Sequence, residues 1–132
     1  MRVLVDTSAY YALADRADIK HEAAKRAVRQ LLDEGWELWT TSYVVLEAAA
    51  LVQSRLGMRH LRLLREALTE STAVVWVDSA LHEAAWDELE RLGRRGVSLV
   101  DCSLAVAAQR HGIADILAFD PDFELWGLRL LG

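Results

Sequence analysis

The sequence predicts an α/β fold, a three-layer α/β/α sandwich around a central, mainly parallel sheet of four to five strands. Three observations predict it. The run Val3-Leu4-Val5 is a short, largely β-branched apolar stretch of the kind that lies buried on both faces in the middle of a parallel sheet. Further short strand patterns alternate along the chain with longer segments whose apolar residues fall at helical spacing. The first strand also stops on a carboxylate, Asp6, at the end where open α/β sheets place their ligands.

Length and composition narrow the classes. A chain of 132 residues fits a single domain, residues 1–132, and can bury a substantial core without disulfides or a structural metal. With 53% hydrophobic residues, 27% charged residues and 1 Pro, it is an ordered, helix-rich globular sequence rather than a disordered or fibrous one. Charge interrupts every apolar stretch well before a membrane-spanning length, and the first residues have a strand pattern rather than that of a signal peptide. The lone cysteine, Cys102, has no partner for an internal disulfide and reads as a small core residue; a cytoplasmic protein is expected, with no membrane partner. The net charge of -5 argues against a general nucleic-acid coat, because phosphate binding is driven by Lys and Arg. It is compatible with a nuclease, since carboxylates that hold a divalent metal are negative by necessity and the bound ion inverts the local field.

In chain order, Thr7 to Leu13 reads as a short helix, with Thr7 and Ser8 suited to its start. A polar stretch from Ala14 to Lys20 leads to a helix from His21 to Glu34, with Ala24, Ala27, Val28, Leu31 and Leu32 at helical spacing and Gly35 as its stop. His21 there reads as a surface or capping histidine. Glu37 to Thr41 alternates and is rich in Trp, Leu and Thr, which predicts a second strand. Ser42 is expected to cap a helix to about Arg55 that is apolar nearly all round from Val44 to Val52, and Gly57 separates it from a helix over Met58 to Glu70. Ala73 to Val77 predicts a third strand, and Asp78-Ser79 caps an amphipathic helix to about Leu92. After the basic loop Gly93-Arg94-Arg95-Gly96, Ser98 opens a helix to His111; Ile116 to Phe119 and Leu128 to Leu131 complete the strands.

Four carboxylates stand out because each breaks an apolar context. Asp6 and Asp120 follow strands, while Glu47 and Asp101 interrupt apolar helix faces. At about 100° per residue, Glu47 neighbours Tyr43, Val44, Ala50 and Leu51, and Asp101 neighbours Val97, Ser98, Leu104, Ala105 and Ala108. A buried, unpaired carboxylate is costly or changes its pKa, so such a residue needs a partner. Each also has an ordinary explanation. Asp6 or Thr7 can cap the following helix, and Glu47 can pair with an arginine. Asp101 can complete a capping box with Ser98, and Asp120 and Asp122 flank Pro121 in a turn where Asp is common. Four such residues in one short chain nonetheless suggest convergence. Hard oxygen donors without His or Cys favour Mg²⁺ or Mn²⁺ over zinc, the donor set of phosphodiester hydrolysis. Arg55, Arg59, Arg62 and Arg65 recur at three- or four-residue spacing, either as a solvated face supported by Glu66 or as a path for an RNA backbone, to which Arg94 and Arg95 would add. The apolar helix around Val44 to Val52 predicts more apolar surface than one small domain hides, and hence a homodimer.

The segments Val5-Asp6-Thr7-Ser8-Ala9, Thr41-Ser42 with Val45-Leu46-Glu47, Leu99-Val100-Asp101-Cys102-Ser103 and Phe119-Asp120-Pro121-Asp122-Phe123, in this order and spacing, resemble the motifs of PIN-domain ribonucleases. Within that family they are most similar to the VapC toxins of bacterial and archaeal toxin–antitoxin pairs. His21 followed by Ala24, and Gly127 after Phe123, extend the likeness to essentially the whole chain. The resemblance implies a PIN-like fold and a catalytic and metal-binding set of Asp6, Glu47, Asp101 and Asp120, with Asp122 as a possible fifth ligand. It implies that Ser8, with Thr7 in support, orients Asp6 or a metal-bound water. It also implies Mg²⁺- or Mn²⁺-dependent endonucleolytic cleavage of RNA to a 5′-phosphate, and a VapB-like antitoxin whose C-terminal segment lies along the acidic groove. One departure is Ala118, where the family commonly offers a Thr or Ser. The sequence leaves two other readings: a catalytically inactive PIN-like binding module and a receiver-like signalling domain. Val74-Val75-Trp76-Val77-Asp78 mimics a receiver's phosphoacceptor strand, but the chain has no lysine beyond Lys25 and no acidic pair after its first strand.

Overall fold

The structure, a computed structural model, describes residues 1–132. Its strands are β1 (Arg2–Val5), β2 (Glu37–Thr41), β3 (Thr72–Val75), β4 (Asp115–Leu117) and β5 (Arg129–Leu130). All neighbouring pairs are parallel, in the order β3-β2-β1-β4-β5. The helices are α1 (Thr7–Ala14), α2 (His21–Asp33), α3 (Ser42–Leu56), α4 (Met58–Ser71), α5 (Ser79–Leu92) and α6 (Leu99–His111), with a 3₁₀ helix over Pro121–Trp126. This is the expected α/β/α sandwich with a parallel sheet. Its strand order differs from the 2-1-3-4-5 order of receiver domains, which removes that alternative. Asp78, the residue that mimicked a phosphoacceptor, is an exposed helix cap whose carboxylate accepts from the Leu81 N–H at 2.8 Å.

β1 organises the rest. β1 has a strand on each edge, with Leu4 opposite both Trp39 and Ile116, and Val3, Leu4 and Val5 are fully buried because helices also pack over the sheet's faces. The chain moves outward from β1 to β2 to β3 and then returns across the sheet to β4 and β5. The reversal falls between β1 and β4, so the ends of these two strands open onto a crevice. Helices α1 to α4 pack among themselves and against β1 through the larger core, and α5 and α6 enclose a smaller cluster containing the buried Cys102.

Several boundaries differ from the sequence expectation, each because of a neighbour. β3 ends at Val75 rather than Val77, since its partner β2 ends at Thr41, opposite Val75; Trp76 is therefore left 75% exposed. β4 ends at Leu117 rather than Phe119, because β1 stops at Val5, opposite Leu117, and turns into α1. The cap of α3 is Thr41, not Ser42: Thr41 Oγ1 accepts from the Val44 N–H, while Ser42 Oγ accepts from the Val77 N–H at 2.9 Å and fastens the end of β3 to α3. The all-round apolar character of α3 resolves into two faces. Val44, Ala48 and Val52 enter the core, and Leu46 stands 70% exposed.

Candidate active site

Asp6 sits where β1 ends. Its N–H makes the strand's last bond, to Leu117 O at 3.1 Å, and its extended backbone lets the chain turn into α1. The two oxygens of its carboxylate have different partners. Oδ1 accepts from the Thr7 N–H at 2.7 Å, the capping role, and Oδ2 accepts from the Ser8 hydroxyl at 2.8 Å. Burial pushes the Asp6 carboxyl up to about 6; the Ser8 bond opposes the shift and the negative charge of Asp101 adds to it.

Asp101 also has two contexts at once. A full capping box is present at the start of α6: Ser98 Oγ accepts from the Asp101 N–H at 3.1 Å, and Asp101 Oδ2 accepts from the Ser98 N–H at 3.0 Å. The same carboxylate faces the crevice. Burial raises its pKa, the bonds from Ser98 oppose that, and the charges of Asp120 and Glu47 raise it further. Asp101 thus senses the other three acidic side chains.

Asp6, Glu47 and Asp101, carried by β1, α3 and α6, line one open cleft of about 540 Å³ together with Thr7 and Ser8. Glu47 is half-buried and makes neither an ion pair nor a hydrogen bond. The chain's ion pairs are Arg91 with Glu88 and Arg129 with Asp115, so the arginine partner considered for Glu47 is absent. Asp120 is not among the residues that line the cleft; it caps the 3₁₀ helix, its Oδ1 accepting from the Asp122 N–H at 2.9 Å, and its charge acts on Asp101. Asp122 points toward the Gly96 loop, its Oδ2 3.8 Å from where a Cβ at Gly96 would lie. No three of the His, Cys, Asp or Glu side chains stand close enough together to hold one metal ion by themselves. Thr7 Oγ1 is buried at the cleft with no hydrogen-bond partner. Ala118, the departure from the family pattern, is fully buried in the core.

The arginines do not form one stripe. Arg55 follows Glu47 and Leu51 at four-residue steps on one face of α3 and so lines the acidic cleft, whereas Gly57, at φ +90°, joins α3 to α4 in a single residue and redirects the arginines beyond it. Arg59 lines a separate hollow with Tyr10 and His21, and Arg62 and Arg65 line a groove beside Trp76. Glu66 makes no ion pair with any of them. Arg94 and Arg95 are exposed in their loop, outside the cleft lining. The sequence reading missed Lys20, Tyr11 and Phe119, which do line the cleft. Lys20 lies in a polar connector and the two aromatics in apolar runs, and nothing local marks them.

A profile of the PIN domain matches residues 3–125. The chain is 31% identical over 128 residues to the 23S rRNA-specific endonuclease VapC20 of Mycobacterium tuberculosis, an alignment covering 95% of this chain and 94% of that protein. The crystal structure of M. tuberculosis VapC20, described as a sarcin-ricin loop cleaving toxin, superposes with a TM-score of 0.84 over 96% of each chain. VapBC2 from Rickettsia felis, bound to a DNA fragment of its promoter, gives a TM-score of 0.73 at 13% identity over 98% of this chain and 97% of that one, a likeness of fold. With the profile spanning nearly all of the sequence and such a relative aligned along almost its full length, the chain belongs to the PIN domain family.

Proposed function

We propose that the chain is a metal-dependent endoribonuclease, the toxin of a VapBC-type pair, with Asp6, Glu47, Asp101 and Asp120 as its catalytic carboxylates. The observation that carries this reading is the convergence on one cleft of carboxylates from three separate elements, with no cation paired to any of them. Structural carboxylates at such a density would ordinarily be neutralised by Arg or Lys. The donor set fits Mg²⁺ or Mn²⁺: it is all oxygen, and the buried Thr7 Oγ1 at the same wall lacks a partner. The spread of the side chains is compatible with such an ion, because Mg²⁺ is commonly held by one or two carboxylates with water and substrate phosphate completing its shell. When bound, the ion supplies Lewis-acid polarisation of the phosphodiester and acidification of water at neutral pH.

The chain's own residues divide the remaining work. Thr7 N–H and Ser8 Oγ hold both oxygens of Asp6, Ser98 N–H holds Asp101, and Asp122 N–H holds Asp120. Glu47 is the member of the four that no hydrogen bond fixes, which leaves its carboxylate free to orient the attacking water and take up its proton. In-line attack of water on a backbone phosphate breaks its bond to the 3′ oxygen, which departs to become a 3′-hydroxyl, and the phosphate stays on the 5′ carbon of the downstream product. The named activity of VapC20 on 23S rRNA supports a looped ribosomal RNA as the substrate class, and with it a cytoplasmic site of action. No helix is long and apolar enough to cross a membrane.

Two partners follow. The groove of about 720 Å³ between α3, α4 and β3, lined by Val45, Met58, Leu61, Val74 and the exposed Trp76, supports a homodimer that covers it. Light scattering should give twice the chain mass, and Trp76→Asp should give a monomer; a wild-type monomer at micromolar concentration overturns the dimer. A VapB-like antitoxin is expected to lay a basic segment along the acidic cleft.

The central test is incubation of purified protein with a panel of structured RNAs, with and without Mn²⁺, beside the Asp6→Asn variant. Metal-dependent internal cleavage that the variant lacks is expected. An inactive wild type beside an active family member would support the alternative of a module that binds without cutting.

A further inference from the structure

We propose that Lys20 and Arg55 form a two-sided clamp that seats RNA backbone phosphates over the acidic cleft. The two cations reach the cleft from separate elements, Lys20 from the connection between α1 and α2 and Arg55 from the last turn of α3, and both are exposed. The same lining carries Asp6, Asp18, Glu47 and Asp101, yet neither cation is within ion-pair distance of any of them. Each rests on an aromatic face instead. Lys20 Nζ lies 5.4 Å from the centre of the Phe119 ring, and Arg55 Cζ lies 5.1 Å from that of Tyr11.

An exposed contact of this kind holds a cation more weakly than a charge-assisted hydrogen bond to phosphate does, so an arriving backbone can draw both groups off their rings. The supports are linked and already in place. Tyr11, under Arg55, donates its hydroxyl to Asp15 Oδ2 at 2.9 Å, and Asp15 Oδ1 accepts from the Ala17 N–H at 2.9 Å to turn the chain toward Lys20. Asp18 Oδ1 accepts from the Lys20 N–H at 2.8 Å, and His21 Nδ1 bonds Ala12 O at 2.7 Å, closing the connector back onto α1. On a chain of net charge -5, with a cleft floor that repels phosphate until a divalent ion is bound, cations at the rim supply attraction that draws an RNA backbone to the carboxylates.

The clamp rests on the RNA-cleavage reading, and the test separates the two. Binding of a fluorescently labelled RNA stem-loop is measured by anisotropy across a KCl series in the Asp6→Asn background, so that affinity is read without turnover. Lys20→Met and Arg55→Met should each weaken binding several-fold and reduce the slope of log K against log salt by about 0.7. Arg29→Met, an equal charge change on the exposed side of α2, should leave the slope as it was, and Lys20→Arg should restore it. In the active chain, Lys20→Met should raise KM with kcat retained. If the background protein binds RNA but the Lys20→Met slope equals that of Arg29→Met, the clamp is overturned alone. If it binds no RNA and the wild type cuts none, the RNA reading falls and takes the clamp with it.

Discussion

The hydroxyls of Thr41 and Ser103 lie 2.9 Å apart in the fully buried interior and tie α3 to α6, the helices that carry Glu47 and Asp101. The direction of the bond follows from its neighbours. Ser103 commits its proton to Val100 O at 2.6 Å, so Thr41 must donate to Ser103 while its own oxygen accepts from the Val44 N–H at 3.3 Å. Thr41→Val removes the cap and an internal hydrogen bond together and should cost roughly 1–3 kcal/mol. Thr41→Ser keeps both and should cost less. Urea denaturation of the two variants checks this; a loss for Thr41→Val no larger than that for Thr41→Ser, which forfeits only the methyl, would show that the hydroxyl's two bonds do not carry the stability assigned to them.

Asp6 makes stability depend on pH in a defined direction. Its folded pKa is raised from 3.8 to about 6, so between these values the folded chain holds a proton that the unfolded chain has released. Stability without divalent metal therefore falls as pH rises from about 4 to 6, by on the order of 3 kcal/mol from this group, and is level above. Asp6→Asn should be more stable than wild type at pH 8, with the advantage shrinking toward pH 4. Urea titrations at both pH values read it; an advantage that does not vary with pH would show that the Asp6 charge is not the cause.

Asp101 is both cap and cleft carboxylate, and two substitutions separate the roles. Asp101→Asn retains an acceptor for the Ser98 N–H and removes a charge from the cluster, so the metal-free melting temperature should hold or rise. Asp101→Ala loses the cap and should cost about 1 kcal/mol relative to Asn. Stabilisation by added Mn²⁺, a linkage effect, should vanish in both. Undiminished Mn²⁺ stabilisation of the Asn variant would remove Asp101 from the proposed site.

Ser8 favours the ionised form of Asp6 by donating to it. Ser8→Ala should therefore raise the Asp6 pKa further and move the acid limb of the RNA-cleavage profile to higher pH, with the rate at pH 8.5 close to wild type. A limb that stays in place would mean that Asp6 does not set it.

What the residues alone determined were features of short range. Strand β2 spans Glu37–Thr41 as read from its alternation, and α2, α4, α5 and α6 lie within a residue or two of the bounds read from periodicity and end signals. These depend on side chains within a turn or a few residues of one another. The four carboxylates were legible for a related reason: each violates the apolar pattern of its own element, a misfit visible without knowing what lies opposite. Tertiary structure decided whatever depends on a distant partner. The lengths of β2 and β1 cut β3 and β4 short, and the end of β3, needing Ser42 for the Val77 N–H, left Thr41 to cap α3. The turn at Gly57 dispersed the arginines, and packing of the α1–α2 connector against Phe119 brought Lys20 to the cleft. A pattern within one helix or strand records which side is apolar, but it carries no distance to residues that only the folded chain brings near.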